Sequence, residues 1–254
     1  MKNEMIEIKS DGGAVEGYFS YPPSAHVKTN EREKAPTVII IHEIWGLNDQ
    51  IKSVADRFAN ELGYLALAPD LMKGEMLETI DPSLLSDMHD PAKRDEAQKK
   101  MREATAPVNT PEFGQRTVKK LKACFEFLKN HESSNDIVGV LGFCFGGTYA
   151  FALAGVEAEL KFAIPFYGHP PTDDVVPNIN CPVLAFYGDK DERLMKLLPE
   201  LTEAMQKNGK NFRSIVYPGV GHAFFNDKNP VMYNAEAAGK AWEEVKKFLV
   251  TNGK

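Results

Sequence analysis

The chain has 254 residues, 43% of them hydrophobic and 26% charged, with a formal net charge of -6 at pH 7. That length buries a full core and suits one α/β domain over residues 1–254. The acidic balance argues against nucleic acid or an anionic membrane surface as partner, and no apolar run reaches bilayer-spanning length. Met1-Lys2-Asn3-Glu4-Met5 lacks the basic-then-apolar pattern of a signal peptide. Cys124, Cys144 and Cys181 are an odd number at unpatterned spacings, giving neither a disulfide framework nor a zinc pattern. A reducing compartment follows, and cytoplasm is the expectation.

In chain order, Glu7–Lys9 and Val15–Ser20 read as short strands around the turn signal Asp11-Gly12-Gly13. The segment after Pro22-Pro23 is charged and reads as a solvated loop up to Lys34. Thr37–Ile41 is an uninterrupted β-branched run, the mark of a parallel strand buried on both faces. It delivers His42-Glu43-Ile44-Trp45-Gly46 to its carboxyl end, where open α/β sheets build their sites. Asn48 or Asp49 would cap a helix over Ile51–Leu62. Tyr64–Pro69 is a second buried strand.

Leu71–Pro111 carries Met72, Met76, Met88 and Met101 among many charges, with a helix expected over Ala92–Ala104. It reads as an excursion over the carboxyl edge of the sheet. It is either a lid-like wall of a pocket or a peripheral insertion covering the sheet. Arg116–Asn130 has helical periodicity, and Cys124 falls on its packing face.

Val138–Phe143 then enters Gly142-Phe143-Cys144-Phe145-Gly146-Gly147, and Thr148–Ala154 leaves it as a helix. A strand, a sharp turn and a helix with the reactive residue at the apex make a nucleophile elbow, here with cysteine in the serine position. The glycines are required because side chains two residues before or after the apex would strike the neighbouring strand and helix. The alternative is a tight junction around a buried, inert cysteine. Its partners decide between the two.

Lys161–Tyr167 and Pro182–Tyr187 are further strands, Pro165 marking an irregularity near the end of the first. His169, after the first, reads as loop surface, with pocket lining as the alternative, and Cys181 as structural. The second strand runs into Gly188-Asp189-Lys190-Asp191. A helix over Leu194–Asn208, a strand over Asn211–Tyr217, the loop Gly219-Val220-Gly221-His222 and a helix over Asn234–Val250 close the chain. The alternation implies a mostly parallel, twisted sheet of about seven to eight strands with helices on both faces.

A thiol nucleophile needs a base, and the base an orienting acid. Cys144, Asp191 and His222 each follow a strand, in the order nucleophile, acid, histidine that α/β-hydrolases show. Asp191 is preferred to Asp189, which suits a turn-capping role. The oxyanion hole is expected from the backbone N–H groups of Phe145 and Ile44.

His42–Gly46, the Cys144 elbow, Gly188–Asp191 and Gly221-His222-Ala223-Phe224-Phe225 together resemble the dienelactone hydrolase (carboxymethylenebutenolidase) family, over almost the whole chain. The resemblance implies an α/β-hydrolase fold, with Cys144 as nucleophile, His222 as base and Asp191 as orienter. It also implies that Glu43 accompanies the resting thiol and moves aside for substrate. The namesake enzyme has an arginine four residues after its histidine to hold a substrate carboxylate; here that position is Asn226. Arg94 and Arg102 are candidates for a substitute cation.

The expected function is hydrolysis of a small lactone or ester through a Cys144 acyl-enzyme, without metal or organic cofactor. A thioesterase or general carboxylesterase on the same residues is the alternative. A non-catalytic protein using Cys144 as a redox sensor or binding group is another.

Overall fold

The computed structural model describes residues 2–23, 34–73, 84, 87 and 92–253. Eight strands form one sheet: β1 (Asn3–Ile8), β2 (Val15–Ser20), β3 (Ala35–Ile41), β4 (Leu65–Pro69), β5 (Ser134–Phe143), β6 (Phe162–Phe166), β7 (Val183–Gly188) and β8 (Phe212–Tyr217). Their order across it is β1-β2-β4-β3-β5-β6-β7-β8. β1 and β2 pair antiparallel, β2 runs antiparallel to β4, and every other pairing is parallel. The helices α1 (Asp49–Leu62), α2 (Arg94–Thr105), α3 (Pro111–Lys129), α4 (Phe145–Val156), α5 (Glu192–Lys207) and α6 (Ala235–Asn252) connect and cover the strands. Helices lie on both faces of the sheet.

Continuous apolar runs occupy the middle of the sheet. β4, β6 and β7 are buried at every residue, and β3 and β5 are buried from Thr37 and Val138 onward. β8, half exposed along its length, forms one edge. Such two-face burial is what a parallel strand needs, because helices cover both sides. Pro165 interrupts less than its chemistry suggests. β6 pairs with β5 continuously from Phe162 to Phe166, while towards β7 the partners are Ala163↔Val183 and Phe166↔Phe186. The missing proline N–H therefore falls where the β7 ladder has its gap.

Helix starts lie earlier than the apolar periodicity suggests. α3 begins at Pro111 rather than Arg116, with Thr110 Oγ1 accepting from the Phe113 N–H at 3.2 Å. α1 begins at Asp49, capped by Asn48, whose Oδ1 accepts from the Ile51 N–H at 3.1 Å. In each case the cap, not the start of the apolar stripe, sets the boundary.

The helix expected over Ala92–Ala104 is α2, and a 3-10 turn at Ala106–Val108 links it to α3. Residues 74–83, 85–86 and 88–91 of the Leu71–Pro111 excursion, Met76 and Met88 included, lie outside the described residues, as do the side chains of Arg94 and Arg102. Among the described residues no helix is long and apolar enough to cross a membrane.

The carboxyl ends of β3, β5, β6, β7 and β8 all point to one edge of the sheet, because these five strands run parallel. Everything below lies on the loops at that edge.

Candidate active site

Cys144 sits between β5 and α4 with φ 54° and ψ -109°, a conformation that L residues avoid. A Cβ on Gly142 would run into the carbonyl of Gly146, and one on Gly146 into the carbonyl of Ile41. With both absent, the turn is stitched to its neighbours. The Gly146 N–H donates to the carbonyl of His42 at 3.1 Å, and the Cys144 N–H to that of Phe166 at 3.0 Å. Thr148 Oγ1 donates to the Cys144 carbonyl at 3.3 Å and accepts from the His169 N–H at 2.9 Å. The thiol is thereby fixed relative to the ends of β3 and β6. Cys124 and Cys181 are buried, and burial pushes each thiol up to about 12.

Asp191 and His222 meet at the same edge. Asp191 caps α5, its Oδ1 accepting from the Leu194 N–H at 3.4 Å, while Oδ2 accepts from His222 Nδ1 at 2.5 Å. Asp189 takes the capping role expected of it, accepting from the Gly219 N–H at 2.7 Å. The Lys190 N–H donates to the Val220 carbonyl at 2.9 Å. These bonds lace the loops after β7 and β8 and carry His222 to the edge that holds the elbow, within electrostatic reach of Cys144.

Burial alone would lower the His222 pKa. The charge of Cys144, then the hydrogen bonds to Asp191 and Cys144 and the charge of Asp191, overcome it and push the imidazole up to about 10. Burial likewise opposes ionisation of Asp191, yet the hydrogen bond and charge of His222 hold its carboxyl below the usual aspartate value.

His42 and Glu43 leave β3 as a pinned pair. His42 is fully buried, donating from Nδ1 to the Glu43 carbonyl at 2.5 Å and accepting at Nε2 from the Leu71 N–H at 2.9 Å. Those two bonds define one neutral tautomer, and burial lowers the ring's pKa further. The ring stacks on Phe145 at 5.7 Å.

Glu43 turns the other way and is 4% exposed. Its Oε2 accepts from Asn226 Nδ2 at 2.6 Å and its Oε1 from the Tyr167 hydroxyl at 3.2 Å. Burial raises its pKa against the opposing influence of Asn226, His222 and Tyr167. Asn226 therefore does not open toward substrate as a neutral stand-in for an arginine. It is 6% exposed, with its amide engaged on Glu43.

An open cavity of about 410 Å3 covers the thiol, lined by Cys144, Phe145, Ile44, Tyr149, Tyr167 and the Val108–Thr110 turn, with Thr148, His169 and Arg193 completing it. The carboxyl-terminal end of the Leu71–Pro111 excursion thus forms one wall, and His169 belongs to both the surface and the pocket. Ile44 and Phe145, expected to supply the oxyanion hole, both face this space. Phe145 opens α4, and the first N–H groups of a helix have no intrahelical acceptor.

Sequence reasoning missed Tyr167, the Asn226–Glu43 bond and Arg193. Tyr167, with φ 38°, was read as the last residue of the Lys161–Tyr167 strand, whereas β6 ends at Phe166 and Tyr167 turns into the site.

A family model described as the dienelactone hydrolase family matches residues 24–252. The Saccharolobus solfataricus protein named "Putative carboxymethylenebutenolidase" is 35% identical over 263 residues, covering 96% of each chain. Protein usf of Aquifex pyrophilus is 33% identical over 248 residues, covering 94% of each. The dienelactone hydrolase structure from Anabaena variabilis superposes with a TM-score of 0.69 at 14% identity, covering 100% of this chain and 99% of that one, a likeness of fold. With the sheet order, the elbow and these matches in agreement, the chain belongs to the dienelactone hydrolase family, carboxylic-ester hydrolases of the α/β-hydrolase superfamily.

Proposed function

We propose that the protein hydrolyses a small lactone or activated ester through a covalent Cys144 acyl-enzyme, with His222 as general base and acid and Asp191 as its orienter. The Cys144 sulfur attacks the acyl carbon, its proton held on His222, and the carbonyl oxygen becomes an oxyanion. The N–H groups of Phe145 and Ile44 receive that oxyanion. Collapse breaks the bond to the leaving oxygen, which takes the proton from His222, and a thioester remains on Cys144. Water then gives a proton to His222 and adds to the thioester. A second collapse expels the sulfur and releases the acid. Asp191, bonded to Nδ1, keeps Nε2 facing the sulfur throughout. Thiolate is a better leaving group than an amine, so a tetrahedral adduct on a peptide reverts; enol-lactones, activated esters and thioesters are preferred.

The observation that carries this reading is the bond from His222 Nδ1 to Asp191 at 2.5 Å, at the sheet edge where Cys144 lines an open cavity. The test is hydrolysis of p-nitrophenyl acetate by Cys144→Ala and His222→Ala. Each should lose about a thousandfold or more in kcat/KM, with the melting temperature kept. Wild-type turnover in Cys144→Ala would remove the acyl-enzyme. A panel of cis-dienelactone, p-nitrophenyl acetate and acyl-CoA separates lactonase, esterase and thioesterase use of the same residues.

A further inference from the structure

A carboxyl group buried as deeply as Glu43 ordinarily needs a cation or a full set of hydrogen bonds. Glu43 has two donors, both uncharged: the Asn226 amide on Oε2 and the Tyr167 hydroxyl on Oε1. The orientation of the Asn226 amide is fixed, because its Oδ1 accepts from the Lys228 N–H at 3.0 Å. Rotating the amide would forfeit both bonds. The titratable groups around the carboxyl are Tyr167 at the end of β6, His222 in the loop after β8, Cys144 at the elbow, which acts electrostatically on Tyr167, and His42 on its own loop. Of these, His222 is the charged neighbour that acts on Glu43 directly.

A cationic partner would grip the carboxylate and lose its hold on the neutral acid. An amide N–H donates to either form, since both present an acceptor oxygen. We propose that Asn226 is a positioning residue whose neutral amide seats Glu43 against Tyr167, beside Cys144 and His222, in both protonation states of the carboxyl. The role rests on the reading of Cys144 and His222 given above. It separates this chain from one with a guanidinium at position 226, because here no charge on residue 226 sets the ionisation of Glu43.

Asn226→Asp and Asn226→Leu test it in the full chain, followed by kcat/KM for p-nitrophenyl acetate and by the rate of Cys144 alkylation by iodoacetamide, each from pH 5 to pH 9. In Asn226→Asp the introduced carboxyl can still donate to Glu43 while protonated, whereas its ionised form repels Glu43. Asn226→Asp should therefore stay close to wild type at the acid end and fall behind by about tenfold or more at the alkaline end. Asn226→Leu, which has no donor at any pH, should lose a similar factor throughout. Adding Glu43→Gln should abolish the alkaline loss of Asn226→Asp, because the second charge is gone. A profile of wild-type shape in Asn226→Asp, or an alkaline loss that survives Glu43→Gln, would overturn the proposal. Alkylation needs no turnover, so it reads the role of Asn226 even if the wild type hydrolyses none of the esters.

Discussion

At the scale of single residues, Asp191 and Cys144 both act on the His222 imidazole, and each should be visible in its titration. The charge of Cys144 is the largest influence raising its pKa, so Cys144→Ala should lower the imidazole midpoint, and Asp191→Asn should lower it as well. Following the His222 Cε1 resonance by NMR against pH measures both. An unmoved midpoint in Cys144→Ala would mean that sulfur and ring do not interact. The placement of Cys144, Asp191 and His222 at one sheet edge was legible because each follows an apolar strand in a glycine-containing turn. Asn226 was read only as an absent arginine. Its bond to Glu43 spans 183 positions, and an amide reaching a distant carboxylate leaves no local pattern.

The elements meet at the site through backbone that side chains would obstruct. Gly146→Ala should destabilise the protein by about 1–3 kcal/mol, because its Cβ would strike the carbonyls of Ile41 and His42 and push α4 off the end of β3. Denaturant unfolding measures that loss, and esterase activity should fall with it. Cys144, Tyr167 and Ala223, three of the non-glycine residues with positive φ, follow β5, β6 and β8 at this one edge. Such conformations persist where surrounding bonds over-determine them. The middle strands were legible from their unbroken apolar runs. The start of α4 was not: its first turn holds Gly146 and Gly147, poor helix formers kept for close packing, so the apolar periodicity begins only at Thr148.

For the molecule as a whole, the buried site couples folding to pH, and the signs differ by group. Asp191 has a folded pKa below its ordinary 3.8, so its stabilisation is present above that value and is lost as pH falls through the folded pKa. His222 is raised from 6.5 to about 10, so its contribution is complete below 6.5 and is lost as pH rises through about 10. Glu43 is raised above 4.5 by burial, so stability declines as pH rises from 4.5 through its folded pKa. Glu43→Gln removes that decline. It should raise the melting temperature at pH 7 by roughly 2–4 °C for each kcal/mol recovered, with little change at pH 4. Equal shifts at both pH values would assign the gain to packing rather than to the buried charge.

Intact-protein mass spectrometry after rapid mixing with a slowly deacylated ester, with peptide mapping of the adduct, reads the chemistry most directly. A mass increase of one acyl group on the peptide containing Cys144 is the predicted result, with the adduct lost more slowly from His222→Ala once that variant has been acylated by a reactive thioester. Turnover with no acyl mass on that peptide, or an adduct on Cys124, Cys181 or a serine instead, would contradict it.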